Sequence, residues 1–333
     1  MKIAITCDQL VERRPVHQLV QMACKLFPTA VVYTLVHQKG KVLGPIEHHS
    51  IRSTFLSNTV ENLADLEKKY YLIPSALKKL PVPCSYDVVI HFSSGLSHCF
   101  PTCEKSKVFT YLMENNLETK PESFMGKVFH ALLNSLSKKE LHKLTNLVSS
   151  KELIPFFDLD DWKNSEEKIE KSVVAINGEN FSRSELEQLG QSIKSSGLTP
   201  VVYNGPLSES FETLENSCSG ELVPLFKKAV CSVHHPKSEY PISVLESWYV
   251  GCPALCSFSD LSGQVLPPYG VVFYDSMNSL ISELSGVISS KGTQFNPGQM
   301  RLYAQKYSEQ IFKAKFLRKL TEANISWDKL IKS

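Results

Sequence analysis

The sequence predicts an α/β protein of two doubly wound, Rossmann-like domains facing across a cleft. Three observations lead there. Its 333 residues are long for one hydrophobic core and comfortable for two. Short apolar runs alternate with stretches of helical spacing, the pattern of parallel sheets covered by helices. Near residue 155 the alternation gives way to a polar, charged stretch and then starts again.

The run "KIAITC" at 2–7 reads as a strand that opens into the polar loop "DQLVERR". Pro15 then starts "PVHQLVQMACKLF", in which Val16, Leu19, Val20, Ala23 and Leu26 share one helical face. "AVVYTLV" at 30–36 is the next strand and completes a strand-helix-strand unit with short connections. "LEKKYYLIPSALKKL" is predicted helical with a break at its proline. "YDVVIHFSS" (86–94) and "KVFTYLM" (107–113) repeat the theme of an apolar strand ending in polar residues. Residues 158–171 are read as the linker, which gives a first domain at 1–157 and a second at 172–304. In the second, strands are expected at 172–177, 200–204, 229–235, 254–258 and 270–274. Helices are expected at 182–196, around 221–228, within 236–257 and at 277–289. The last segment reads as a long helix or a broken pair, with Tyr303, Tyr307, Ile311 and Leu317 on one side. Doubly wound sheets bind ligands at the carboxyl ends of their strands near a switch in strand order, so the cleft is the expected site.

Composition narrows the classes. With 42% hydrophobic and 21% charged residues, and no apolar run near the roughly 20 residues a membrane helix needs, the chain reads as globular. No export signal is read after Met1, so the cytosol is the expected compartment. A formal net charge of +2 argues against a nucleic-acid surface covering the molecule and leaves phosphate-bearing small molecules open. The nine cysteines are odd in number and sit mostly in apolar stretches (Cys7, Cys24, Cys231, Cys252, Cys256), as reduced core thiols do; no disulfide framework is expected. "HCFPTC", with His98, Cys99 and Cys103, offers half of a zinc site, but no second pair at ligand spacing follows, and no metal is expected. The absence of G-x-S-x-G, G-x-G-x-x-G and phosphate-loop Lys motifs removes nucleophile-elbow hydrolases, common dehydrogenases and NTPases.

The most informative stretch is "PKSEYPISVLESWYVGCPALCS", residues 236–257. Pro241 suits a first helical turn, Ser238 or Glu239 can cap it, and Gly251 followed by Pro253 stops it. Ile242, Leu245, Trp248 and Tyr249 form the predicted buried stripe. Glu246 lies beside that stripe rather than opposite it, so its carboxylate must be paired in a salt bridge at the domain edge or face a polar cavity. His234-His235, at the end of the preceding strand, either touches a ligand or is satisfied by solvent.

The order of acid, short loop, "xxLE", Gly-x-Pro and apolar strand resembles the donor-binding segment of retaining GT-B glycosyltransferases of family four. "CDQLVERRPVHQLVQMACKLFPTAVVYTLV" resembles, without a gap, the opening of one subgroup, and "STFL", "YDVVI", "IPFFDLDDW" and "YAQKYSEQIF" have counterparts in order. The resemblance therefore spans nearly the whole chain. It implies a GT-B fold in which 305–333 returns to the first domain. It also implies metal-independent transfer of a hexose, with retention, from a nucleoside diphosphate sugar to a glycan, lipid-linked or protein acceptor. No cofactor is implied beyond that donor substrate. In the family a Glu, seven residues, Glu pattern holds the donor, the second Glu on ribose hydroxyls and the first near the sugar. Here the second is Glu246, and the first falls on Ser238, with Glu239 displaced by one position.

Carried over residue by residue, Glu239 and His17 are the expected catalytic residues, and Glu246, Ser238, Arg183, Arg14 and Ser243 the expected donor-binding ones. The chain departs from the family at several places. Glu239, Tyr240 and Pro241 stand where Gly-Phe-Gly gives N–H groups to the diphosphate; Pro has no N–H and a Glu repels a diphosphate. Glu179 and Ser184 stand at the family's phosphate-neutralising Arg and Lys, leaving Arg183 as the nearby cation. Pro15-Val16 replaces Gly-Gly, and Met113, beside Glu114, replaces a histidine, so Arg13, Arg14 and His17 are the polar groups at that mouth. These departures imply an alternative, a catalytically degenerate member that serves as a binding subunit or the partner of another transferase. The basic, partly apolar segment 126–153 reads as a solvated helix face, or, as in related transferases, as a region that approaches acceptors or a membrane surface.

Overall fold

Val, Ile and Phe runs apolar on both faces form strands buried along nearly their whole length, as parallel sheets require. The structure is a computed structural model, and it describes residues 1–325 apart from 12–14, 43, 114–123, 151, 158–169, 206–210, 215–218 and 237–240. The chain divides into two compact units, Met1–Pro155 with Phe312–Ser333, and Phe156–Ile311.

The first unit holds β1 (Ile3–Cys7), β2 (Val31–Thr34), β3 (Ser50–Ser53), β4 (Val88–Ser93), β5 (Lys107–Leu112) and β6 (Leu147–Ser149), all parallel, in the order β3-β2-β1-β4-β5-β6. The helices are α1 (Pro15–Leu26), α2 (Leu63–Lys68), α3 (Ile73–Lys79) and α4 (Phe124–Leu141). On α1, Val16, Leu19, Val20, Ala23 and Leu26 are all buried, as their spacing predicts. Pro74 opens α3 from its first turn instead of interrupting a helix, because an early position has no hydrogen bond for it to break.

The second unit repeats the plan with β7 (Val173–Asn177), β8 (Thr199–Tyr203), β9 (Glu212–Leu214), β10 (Ala229–His234), β11 (Ala254–Ser257) and β12 (Val271–Tyr274), in the parallel order β12-β11-β10-β7-β8-β9. Its helices are α5 (Arg183–Ser195), α6 (Ser219–Lys228), α7 (Ile242–Val250), α8 (Asp260–Val265), α9 (Met277–Ser289) and α10 (Pro297–Ala304). The final helix, α11 (Glu309–Glu322), begins at the end of this unit and belongs from Phe312 onward to the first. Both sheets thus have the doubly wound order, with its reversal between β1 and β4 in one and between β7 and β10 in the other.

Three expectations are corrected. Cys84 and Cys103 form a disulfide, with their Cα atoms 5.0 Å apart, so the thiols are not all reduced. The pair is brought together by the loops leading into β4 and β5, where the Val82 N–H also donates to Pro101 O and Ser106 Oγ to Tyr86 O. With Cys103 so engaged, and the His98 ring held by Ser93 Oγ and Ser137, "HCFPTC" is built into the fold. The end of the chain is the broken pair α10 and α11, and the buried face of α11 is Phe312, Phe316 and Leu320; Ile311 is exposed and Leu317 half-buried. On α7 the buried set is Val244, Leu245, Ser247, Trp248 and Val250, whereas Ile242 and Tyr249 are half-buried. Most of the expected linker, 158–169, lies outside the described residues.

Candidate donor site at the second sheet's switch point

The reversal between β7 and β10 leaves a gap at the carboxyl edge, because the chain leaves the two strands toward opposite sides. A pocket with ≈ 320 Å³ of empty space, open to solvent, lies there, lined by Asn177, Glu179, Asn180, His234, His235, Pro236 and Ser243. The register fixes the row beneath it. Asn177 is level with Tyr203, His234 with Cys256 and Cys256 with Phe273. Val233 pairs with Ile176, which brings Asn177 level with His234.

His234 is fully enclosed and held by hydroxyls on both ring nitrogens, Ser232 Oγ at 2.8 Å from Nε2 and Ser243 Oγ at 3.0 Å from Nδ1. Ser232 gives its own proton to Ser247 or to Pro253 O, and Ser247 gives its proton to Val244 O. Donor counting therefore puts the imidazole proton on Nε2, and the Ser243 hydroxyl donates to Nδ1. Burial pushes the His234 pKa down to about 3, so the ring stays neutral and acts as a positioning residue for Ser243. His235 is fixed differently. The Tyr274 hydroxyl donates to His234 O at 2.8 Å and so accepts the Nδ1–H of His235 at 3.2 Å, while Phe181 lies against the imidazole with ring centroids 5.1 Å apart.

Glu246 sits on α7 one turn beyond Ser243, on the same face at i+3. It is half-buried, and among the described residues its carboxylate makes no hydrogen bond or ion pair. Burial alone pushes its pKa up to about 8. Its neighbour is Tyr203, at the end of β8, whose ionisation is disfavoured by burial and then by the charge of Glu246. The Tyr203 hydroxyl is itself buried without a hydrogen-bond partner. Two unsatisfied polar groups within electrostatic reach of each other are uncommon in a native interior. Of the two readings of Glu246 from sequence, the local salt bridge is not formed among the described residues.

The remaining expected residues are less gathered. Ser243 lines the pocket. Arg183 stands in the first turn of α5, 71% exposed, and its Nε donates to Glu187 at 3.2 Å; it does not line the pocket, which Glu179 does. The N-terminus of α5 is closed by its own side chains, Ser182 Oγ accepting from Glu185 N and the Glu185 carboxylate from Ser182 N. By contrast α7 starts after Pro241, which makes no side-chain cap; the expected capping by Ser238 or Glu239 falls outside the described residues. At its other end Gly251, with φ of 88°, takes the left-handed stop. His17, expected to be catalytic, is 1% exposed, with Nε2 bonded at 2.7 Å to Gln9 O. Ser238, Glu239 and Arg14 lie outside the described residues. In the first sheet the corresponding switch point is filled by the chain itself, since the Asp8 carboxylate accepts from Ser94 N, Ser94 Oγ, Leu96 N and Ser97 N.

No family model and no curated protein matches the sequence. Solved structures do match along its length. A sucrose-phosphate synthase from Thermosynechococcus elongatus is 11% identical, with a TM-score of 0.65, over 97% of this chain and 100% of that one. Anabaena HepE, solved with UDP-glucose, is 13% identical with a TM-score of 0.64 and the same coverage. A Rickettsia africae glycosyltransferase is 12% identical with a TM-score of 0.60, over 97% and 98%. The fold is that of the GT-B glycosyltransferases. Asn180, which lines the pocket, Tyr203, whose phenol is orphaned, and Tyr274, which holds His235, are residues of this region that the sequence did not single out. Their one common signal is position, at or just beyond the carboxyl end of a strand.

Proposed function

We propose that this GT-B chain binds a nucleoside diphosphate sugar in the pocket at the β7/β10 switch point and transfers its hexose, with retention and without a metal, to an acceptor. The observation that carries the reading is Glu246. An unpaired, partly buried carboxyl beside an orphaned phenol, one turn from the pocket, suits a ligand that presents paired hydroxyls, as a ribose does. Anabaena HepE, which shares the fold, has been solved with UDP-glucose. In this reading Glu246 and Tyr203 hold the ribose and Ser243 lines the donor's path. Ser238 or Glu239 attends the sugar end, and Arg14 belongs to the acceptor side. The uncapped first turn of α7 offers N–H groups to the diphosphate, with Arg183 as added cation once released from Glu187.

Calorimetry with UDP-, GDP- and ADP-glucose tests it: one of the three is expected to bind, and Glu246→Ala to weaken that binding at least about tenfold with folding intact. Silence across the panel from folded protein would sink the proposal.

A second reading, a degenerate binding or partner subunit, is favoured by Glu179 in the pocket lining and by the closed start of α5. Turnover of any sugar nucleotide eliminates it. The acceptor side is addressed by α4, whose outward face carries exposed Val128 and Leu132 near Lys127; a lipid-linked acceptor is consistent with that face, and co-sedimentation with anionic vesicles checks it.

A further inference from the structure

Phe258 follows β11 directly and is 61% exposed, yet its ring is not loose. Its neighbour Phe273 on β12 meets it edge to face, with centroids 5.6 Å apart and an interplanar angle of 85°. From the other side it lies on Gly263 of α8, where a Cβ would come within 3.0 Å of the Phe258 Cε2 atom. Its backbone N–H donates to Tyr274 O at 2.8 Å, and the Tyr274 hydroxyl in turn holds His234 O. A phenyl ring fixed on two sides and open on the rest has little conformational freedom left to lose when something settles on it.

The open ring follows β11, the strand beside β10, whose end the pocket borders. His234 is level with Cys256 at the end of the paired register, and Pro236 and Phe258 each follow that pair by two residues. Adjacent strands are about 4.8 Å apart, and Pro236 lines the pocket. Of the two polar orphans, Tyr203 ends β8 and Glu246 is on α7, which packs on β10 and β11. β8 and β11 are three strand spacings apart, about 14 Å, with the ends of β7 and β10 between them.

We propose that Phe258 is a specificity-determining residue, the platform on which the hexose ring of the donor stacks. This rests on the nucleotide-sugar reading of the same pocket. A pyranose has an apolar face of C–H groups and a polar edge of hydroxyls. The face lies on Phe258, and the edge turns to Asn180, Glu179 and His235. The ribose, at the far end of the row, does not reach Phe258.

The test is calorimetry of the full chain with UDP and with UDP-glucose, for the wild type, Phe258→Ala and Phe258→Tyr. Phe258→Ala is expected to weaken UDP-glucose about fivefold to tenfold and to leave UDP unchanged, while Phe258→Tyr keeps both within about twofold. Equal UDP-glucose binding by Phe258→Ala, or an equal loss for UDP, would overturn the platform and leave the nucleotide-sugar reading in place. A cooperatively melting wild type that binds none of UDP-, GDP- and ADP-glucose would overturn the reading, and the platform with it; where GDP- or ADP-glucose is the one bound, the same comparison is made with that pair. Because the side chain is exposed, truncation spares the core, and thermal melts of the variants check that.

Discussion

Glu246 keeps its proton in the fold at pH values where an unfolded chain has released it. In the unfolded state the carboxyl titrates near 4.5, and in the folded state burial moves it to about 8. Folding is therefore coupled to proton uptake between those values. The stabilisation is full below about pH 4.5, declines as pH rises through about 8, and is gone above it. Glu246→Gln, which cannot ionise, removes that slope. At pH 9 the Gln variant is expected to be more stable than the wild type by a few kcal/mol, and at pH 4.5 the two should converge. Denaturant melts at the two pH values measure it; parallel curves would mean that the carboxyl is not desolvated as described. A donor that hydrogen-bonds the ionised carboxylate would favour that form, so ligand binding should draw the apparent pKa down.

At the scale of elements, the disulfide ties the approaches to β4 and β5 across a sequence separation of 19. Closing a loop of that length contributes about 3 kcal/mol. Cys84→Ser should lower the melting temperature of the oxidised protein by several degrees, and a reductant should lower the wild type to the same value while leaving the variant unmoved. Neither partner was legible from sequence, since two cysteines among nine carry no pairing information without the fold. The central strands were legible because burial on both faces leaves a mostly apolar run, as in "VVIHFS" or "AVCSVH". The edge strands β3, β6 and β9 were not. "SIRS" and "ETL" are short and half-exposed, and pair on one side only, so little apolar pattern is demanded of them. Glu246 stood out because a carboxylate beside an apolar stripe needs a reason. Tyr203 and Phe258 did not, because an aromatic at a strand end looks like core until the strand order shows what lies next to it.

At the scale of the whole chain, α11 completes the core of the first unit with Phe312, Phe316 and Leu320. Phe316 stacks on Phe92 at 5.8 Å and meets Phe109 edge-on at 5.6 Å, and Phe312 meets Tyr111 at 5.8 Å. Phe316→Ala is expected to cost about 3–5 kcal/mol, seen as an earlier denaturant midpoint for probes in β4 and β5. If those strands unfold where they did before, the helix is not part of their core. The first unit is thus assembled from two separated stretches of the chain, Met1–Pro155 and Phe312–Ser333. On the ribosome this has a consequence in time. While residues 156–311 are being translated, the earliest-made sheet waits with Phe92 and Phe109 uncovered, so the half synthesised first is the half completed last, and nascent chains stalled before Phe312 should be the ones that chaperones hold and proteases cut.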